Sequence, residues 1–183
     1  IRHGYCVFSD HLRKLGRPVK IFTHGSSAGA HLTALLTFAK PGECGESLVF
    51  GKQKAKDWIP PVGTALQATP VRFEPWPDIF PQIWAEMQKI AGAPYEKNKA
   101  LYKKLSPMAH IRKSSPPALF MEAECEHMFP AKFCEEFVEK MRRDGVRAEL
   151  KTYTMAEHGF FYDVTRRQQK EAFGDILAFV ESL

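Results

Sequence analysis

The sequence predicts an α/β fold: a mostly parallel sheet with helices on both faces. Short apolar runs of strand length alternate along the chain with longer segments of helical period. The run at residues 118–121, Ala-Leu-Phe-Met, has no polar interruption, which is typical of a strand covered on both faces. A chain of 183 residues with 44% hydrophobic residues can bury one sizeable core, so we expect a single domain.

The first elements lie close together. Apolar residues three or four apart predict an amphipathic helix over residues 1–16 that ends at Gly16, with Ile1, Tyr5, Phe8 and Leu12 on its apolar face. Residues 19–23 read as a short buried strand, and residues 28–38 as a helix that is apolar nearly all round. The polar, glycine-bearing stretch 41–61 predicts an irregular surface loop.

The middle of the chain predicts a strand followed by an insertion. The strand covers residues 62–68. After it, a segment dense in aromatics and prolines leads to a helix that starts at Asp78 as its N-cap and ends near Ala91. A short charged helix over residues 95–105 follows, and together these elements predict a small helical, cap-like insertion at about 71–111.

The last third repeats the alternation. After the strand at 118–121, a helix at about 130–144 begins at a proline and ends before Gly145. Residues 147–153 alternate as a last strand, and a closing helix covers residues 168–183. On this last helix the expected buried face consists of Ala172, Phe173, Ile176, Leu177 and Val180.

The turn between the first strand and the second helix carries the pattern Gly25-x-Ser27-x-Gly29. This is the pattern of a nucleophile elbow, which lifts a serine hydroxyl into a site at the end of a sheet. Side chains two residues before or after the serine would collide with the flanking strand and helix, so both positions favour glycine. The backbone N–H of Ala28, at the start of the helix, is the expected oxyanion donor.

Composition excludes several function classes. The sequence lacks the run of about 18 apolar residues that a membrane span needs. The net charge of +5 is spread out, and the Arg142-Arg143 and Arg166-Arg167 pairs lie on amphipathic helices, so we expect no nucleic-acid partner.

The four cysteines lack C-x-x-C spacing, which favours reduced thiols and leaves a single disulfide as the alternative. The seven histidines lack ligand spacing, so we expect no metal.

The elbow and its neighbours, Gly25-Ser26-Ser27-Ala28-Gly29-Ala30-His31-Leu32, resemble the α/β-hydrolase superfamily. The match is best with its small esterases: carbohydrate-type acetyl and feruloyl esterases, arylformamidase-like enzymes and the hormone-sensitive-lipase branch. The resemblance covers the whole chain but only the C-terminal half of the family fold. It therefore implies that roughly eighty or more residues, with a second oxyanion donor, precede this segment in the natural protein.

The resemblance implies hydrolysis of a carboxylic ester through an acyl-enzyme, with Ser27 as the nucleophile and His158 as the base. His158 follows the last strand and precedes the closing helix, where the family histidine lies. No cofactor is needed, and the expected partner is a small-molecule ester, for which an acylated carbohydrate is one candidate. A peptidase or arylformamidase with the same triad, and a non-catalytic hydrolase-like binding domain, are the alternatives.

The resemblance also implies the triad acid, which follows the penultimate strand. Glu126 lies three residues after the small residue Ala123, at the position where the family usually has aspartate. Of the rivals, Glu122 would still lie on the strand and Glu124 would come too early in the turn. Asp163 follows the histidine, against the family order of serine, acid and histidine.

Aromatic residues of the insertion have two interpretations. Trp76, Phe80 and Trp84 could line a substrate pocket, because insertions after central strands lie beside the site in this kind of sheet. Packing of the insertion against the domain explains them equally well.

Overall fold

A computed structural model describes residues 1–47, 49–50, 53–54 and 58–183. Its strands are β1 (Phe22–Ser26), β2 (Val49–Phe50), β3 (Gln53–Lys54), β4 (Gly63–Gln67), β5 (Ala118–Ala123) and β6 (Ala148–Tyr153). Its α-helices are α1 (Arg2–Lys14), α2 (Ala28–Phe38), α3 (Pro81–Ala91), α4 (Lys99–Leu105), α5 (Ala131–Arg143) and α6 (Arg167–Glu181).

Four strands form one parallel sheet in the order β1-β4-β5-β6. This confirms the predicted fold class. In the register, Ser26 lies beside Gln67, and Gln67 lies beside Met121. The carboxyl ends of β1, β4 and β5 therefore meet at one edge of the sheet, and the loops that follow them converge there.

Side chains of β5 alternate between two hydrophobic clusters, one on each face of the sheet. Ala118 and Phe120 pack with Phe137 of α5 and Ala34 of α2. Leu119, Met121 and Ala123 pack in a second cluster together with Ala172 and Phe179 of α6. Because both faces carry a core, every residue of β5 is buried, which explains the unbroken apolar run at residues 118–121.

The insertion between β4 and β5 has a small core of its own around Phe73, Met87, Ala91 and Tyr102. The predicted N-cap at Asp78 is wrong. Asp78 has a left-handed backbone (φ 64°), and α3 begins at Pro81 because proline is already fixed near the helical φ. The predicted helix 95–105 is divided into a 3₁₀ turn, Tyr95–Lys97, and α4, which Asn98 caps by accepting a hydrogen bond from the Leu101 N–H.

The buried faces of the two terminal helices differ from the prediction. On α1 the buried residues are Arg2, Tyr5, Cys6 and Ser9, whereas Phe8 is half exposed. Arg2 is drawn inward because its guanidinium pairs with Glu46 and lies over the Trp58 ring. On α6 the buried residues are Ala172 and Phe179, and three expected core residues are exposed: Phe173, Leu177 and Val180.

Other boundaries shift only slightly. β1 starts at Phe22 instead of residue 19, since its pairing with β4 begins there, and it runs up to the elbow serine. Within the predicted loop 41–61, β2 and β3 form a short antiparallel pair, so that prediction is wrong in part. Residues 48, 51–52 and 55–57 of this loop lie outside the described residues. Within the described part of the chain, no helix has both the length and the apolar character needed to cross a membrane.

Candidate active site

Ser27 lies at the junction of β1 and α2 with φ 51° and ψ −122°. A positive φ is uncommon for a residue with a Cβ and is found where the surrounding structure enforces it. Here the Ser27 N–H donates to the Gln67 carbonyl (2.9 Å), and the Ser27 carbonyl accepts from the His31 N–H of the first helical turn (3.0 Å). These two bonds fix the turn, and the serine hydroxyl lines a cavity beside it.

The two glycines of the elbow have different roles. A Cβ added at Gly25 would lie 2.5 Å from the Gly29 carbonyl oxygen and 2.6 Å from the Thr33 hydroxyl, so only glycine fits. A Cβ added at Gly29 would have no atom of the described residues within 4 Å. The predicted collision therefore exists at Gly25, whereas the described residues leave open space at Gly29.

The structure brings Ser27, His158 and Glu126 together although they are far apart in sequence. His158 Nε2 lies 2.8 Å from Ser27 Oγ, and His158 Nδ1 lies 2.8 Å from Glu126 Oε2. The Glu126 side chain is 1% exposed and the His158 side chain 15%. The imidazole is therefore hydrogen-bonded on both sides, in the order that a serine–histidine–carboxylate triad requires.

Glu126 is held as a carboxylate. Burial would raise its pKa, but hydrogen bonds from His158 and from the Met128 N–H (2.8 Å) outweigh that effect, and the net pKa is lowered. A carboxylate can only accept, so Nδ1 of His158 carries the proton that it donates to Glu126. Nε2 is then free to accept the hydroxyl proton of Ser27.

The three rival carboxylates lie in other environments. Glu122 lies on β5, is 2% exposed, and has a pKa that burial raises to about 8. Glu124 accepts a hydrogen bond from the Met155 N–H (2.8 Å). Asp163 accepts from Thr165 and Arg166 at the surface. Of the four candidates, Glu126 is the one whose carboxylate contacts His158.

Backbone bonds hold the acid turn (residues 124–127) against the end of β6 and the histidine loop that follows it (residues 154–159). The Glu124 N–H donates to the Tyr153 carbonyl (3.1 Å), and the Cys125 N–H donates to the Ala156 carbonyl (2.9 Å). The distance between Glu126 and His158 is thus set by the main chain as well as by their own contact.

Gln67, at the end of β4, is a polar residue of the site that the sequence interpretation missed. It is fully buried, and its Nε2 donates to the His158 carbonyl (2.8 Å). Its Oε1 accepts a short hydrogen bond from the Ser26 hydroxyl. The signal in the sequence was a single amide at the carboxyl end of the strand, directly after the apolar residues Ala65 and Leu66.

A cavity of about 480 Å³ opens beside Ser27. It is bounded by the start of α2, one face of α3 and the turn after Glu126, and its apolar walls include Phe73, Phe80, Ile83, Met87 and Phe129. Ala28, the first residue of α2, also lines it. A mostly apolar cavity with a few polar groups is the usual form of a small-molecule site.

Of the three aromatic residues predicted to line a pocket, only Phe80 does so. Trp76 packs against Phe129 and Phe133, with ring centroids 6.0 and 5.8 Å apart. Trp84 packs against Tyr95 and Tyr102 inside the insertion, at 5.9 and 5.8 Å. Ile83 lines the cavity and its sequence neighbour Trp84 does not, because adjacent residues face different sides of α3.

His31 is a second polar residue that the sequence interpretation passed over. It lies one turn after Ser27 on α2, lines the cavity, and is 4% exposed. Its ring stacks on Phe73 at 5.0 Å, and its Nε2 donates to the Leu105 carbonyl (2.7 Å) at the end of α4. Burial lowers its pKa, so the ring is neutral and joins α2 to the insertion without a charge.

The described residues contain no group of three histidine, cysteine or acidic side chains that could hold a metal ion. Among the described residues, no disulfide joins Cys6, Cys44, Cys125 or Cys134.

Solved structures of an esterase from the planctomycete Thermogutta terrifontis have the same fold. The butyrate-bound form is 22% identical, with a TM-score of 0.76, and the alignment covers 99% of this chain and 63% of the esterase. The form phosphoramylated by tabun is 20% identical, with a TM-score of 0.76 and coverage of 99% and 62%. The apo form is 24% identical, with a TM-score of 0.72 and coverage of 98% and 62%. The chain therefore spans less than two thirds of that esterase.

No curated protein matches the chain. A family comparison does match: the sequence profile of BD-FAE aligns with residues 14–141, more than half of the chain, including the elbow and the acid turn. The chain belongs to the BD-FAE family, an α/β-hydrolase-like family.

Proposed function

We propose that the protein is a serine hydrolase that cleaves carboxylic esters through an acyl-enzyme. The observation that carries the proposal is the continuous pair of 2.8 Å contacts from Ser27 Oγ to His158 Nε2 and from His158 Nδ1 to Glu126 Oε2. A hydrogen-bonded serine–histidine–carboxylate arrangement beside an apolar cavity is the arrangement that acyl transfer requires.

In the first half-reaction His158 Nε2 takes the proton of Ser27 as its Oγ bonds the ester carbonyl carbon. Glu126 stabilises the imidazolium that forms, and the Ala28 N–H at the start of α2 donates to the oxyanion. As the carbon–oxygen bond to the alcohol breaks, Nε2 returns the proton to the leaving oxygen. Water then attacks the acyl-enzyme by the same route and releases the acid and the serine.

The cavity supports a small-molecule ester as the substrate. Its volume of about 480 Å³ and its aromatic walls suit a short or aromatic acyl group, and an acylated carbohydrate is among the candidate substrates. The Thermogutta terrifontis esterase has been solved with butyrate, and in forms phosphonylated by sarin and phosphorylated by paraoxon. We extend that reactivity to Ser27 of this chain. We further propose that residues 71–111 act as a cap over the cavity.

The test uses the natural full-length protein with short p-nitrophenyl esters and a fluorophosphonate probe. We expect hydrolysis and covalent labelling at Ser27, and the loss of both in Ser27→Ala. Ser114→Ala is the control, since Ser114 is exposed and is not among the described residues that line the cavity. Absence of both reactions in the wild type would overturn the proposal and favour a non-catalytic binding domain. Hydrolysis of aryl formamides or peptides in preference to esters would move the assignment to an arylformamidase or a peptidase with the same triad.

A further inference from the structure

Gln67 connects the turn that carries Ser27 with the loop that carries His158. Its main-chain carbonyl accepts the Ser27 N–H (2.9 Å), its Oε1 accepts from the Ser26 hydroxyl, and its Nε2 donates to the His158 carbonyl (2.8 Å). The Gln67 side chain therefore bonds both the nucleophile turn (residues 26–28) and the histidine loop (residues 154–159). One residue of β4 thus contacts both partners of the proposed proton transfer.

The chemistry of the partners fixes the orientation of the Gln67 amide. The His158 carbonyl can only accept, so the amide nitrogen must face it. The amide oxygen then faces Ser26, and the Ser26 hydroxyl has to donate. A flipped amide would place two oxygens against each other at the His158 carbonyl. The chain of bonds therefore has one direction, from Ser26 through Gln67 to His158.

The burial of Gln67 argues against a role in filling space. The side chain is fully buried on a strand whose neighbouring residues, Ala65 and Leu66, are apolar and equally buried. Burying an amide carries a desolvation penalty that an isosteric leucine would not have, and the penalty is offset only when both polar ends are bonded. Both ends of this amide are bonded, and each bond ends at the nucleophile turn or the histidine loop.

We propose that Gln67 is a positioning residue of the active site, which holds the main chain of His158 at the distance from Ser27 that proton transfer needs. The inference rests on the proposed acyl transfer. Glu126 orients the imidazole ring, whereas Gln67 fixes the backbone from which the ring extends. Displacement of a reacting group by about 1 Å costs up to about a hundredfold in rate, so a loose histidine loop would lower kcat.

The first experiment compares Gln67→Leu with Thr64→Val in the natural full-length protein. Thr64 is also fully buried on β4, but its hydroxyl donates to the Thr23 carbonyl at the other end of the strand, so this variant controls for the loss of a buried hydrogen bond. We expect Gln67→Leu to lower kcat for p-nitrophenyl acetate and the rate of fluorophosphonate labelling by about 10- to 100-fold. KM should stay within about twofold, and Thr64→Val should keep the wild-type kcat.

Gln67→Glu tests the pH dependence of kcat, which would not change if Gln67 had a purely structural role. A neutral carboxyl can donate to the His158 carbonyl and accept from Ser26, as the amide does, whereas a carboxylate has no proton to donate. The ratio of the variant kcat to the wild-type kcat should therefore fall as the pH rises and the introduced carboxyl ionises. This variant also decides the question if Gln67→Leu fails to fold.

The outcomes separate this inference from the proposed function. If the wild type reacts and Gln67→Leu keeps kcat within about twofold of Thr64→Val, the positioning role is overturned while the hydrolase assignment stands. The positioning role is also overturned if the ratio of the Gln67→Glu kcat to the wild-type kcat stays constant with pH. If the wild type neither hydrolyses esters nor is labelled, the proposed function and the positioning role fall together.

Discussion

The His31 imidazole and the main-chain carbonyl of Leu105 meet at 2.7 Å, across 74 residues of sequence. The contact joins α2, which starts at the elbow serine, to the end of the insertion that forms a wall of the cavity. We expect His31→Phe to lower the free energy of unfolding by about 1–2 kcal/mol, because the carbonyl loses its partner. Since His31 lines the cavity, the preference among acyl groups should change as well. Urea unfolding and a series of p-nitrophenyl esters measure the two effects.

His110→Phe is the matched control for that prediction. His110 is 6% exposed and donates from Nε2 to the neighbouring Lys104 carbonyl (2.7 Å), but it is not among the described residues that line the cavity. It should therefore cost stability and leave acyl preference unchanged. Equal changes in acyl preference for both variants would contradict the placement of His31 in the pocket.

Glu126→Gln should lower kcat by about 10³- to 10⁴-fold and leave folding intact. An amide keeps the shape of the side chain, but it cannot stabilise the imidazolium and can hold the wrong tautomer of His158. Steady-state kinetics and circular dichroism test the two parts. Glu124→Gln is the control, because that carboxylate bonds the Met155 N–H instead of His158. Near-normal activity in Glu126→Gln, with loss in Glu124→Gln or Asp163→Asn, would move the acid to the residue that fails.

Glu122→Gln should change how stability depends on pH. Burial raises the pKa of Glu122 from 4.5 to about 8, so between these values the folded protein binds a proton that the unfolded chain releases. The contribution of Glu122 to the free energy of unfolding therefore falls as the pH rises from 4.5 to about 8. An amide stays neutral, so the variant should resemble the wild type at pH 5 and be more stable at pH 9. Urea unfolding at both pH values, with the exposed Glu124→Gln as control, measures the difference; parallel pH profiles would refute it.

Gly25→Ala and Gly29→Ala form a matched pair at the elbow. The first should destabilise the protein by about 1–3 kcal/mol and reduce labelling of Ser27, since its Cβ would lie 2.5 Å from the Gly29 carbonyl. The second should be neutral or stabilise by up to about 1 kcal/mol, because alanine is the better helix former and the described residues leave room for it. Thermal unfolding distinguishes the two. A large loss of stability in Gly29→Ala would show that the space beside it is occupied in the natural protein.

Phe80→Ala should shift the preference toward bulkier acyl groups, because it removes part of the cavity wall. Trp84→Ala should instead lower the melting temperature with little change in preference, since Trp84 packs inside the insertion against Tyr95 and Tyr102. The ratio of kcat/KM for acetyl and longer or aromatic esters, measured beside the melting temperature, tests both. If Trp84→Ala changed acyl preference and Phe80→Ala changed only the melting temperature, Trp84 rather than Phe80 would line the pocket.

The sequence by itself determined the features that depend on local rules. The periodicities of residues 28–38 and 147–153 predicted α2 and β6 within a residue, and the unbroken apolar run of β5 followed from its burial on both faces. The elbow pattern was enough to choose Ser27, and the family resemblance chose Glu126 and His158; the structure then links these three side chains by hydrogen bonds. The helix, the strands and the elbow are visible in sequence because each depends on residues at fixed, short spacings.

Only the tertiary structure decided which face of an element meets which partner. Trp84 and Phe80 are both aromatic residues of the insertion, so the sequence does not distinguish them. In the structure Trp84 packs against Tyr102, whereas Phe80 lines the cavity. Arg2 is buried because Glu46 and Trp58 lie where its helix docks, which the spacing within α1 cannot indicate. The same holds for Gln67 and His31: each bonds a carbonyl 74 or more residues away, and such pairings arise only when the strands and the insertion have packed.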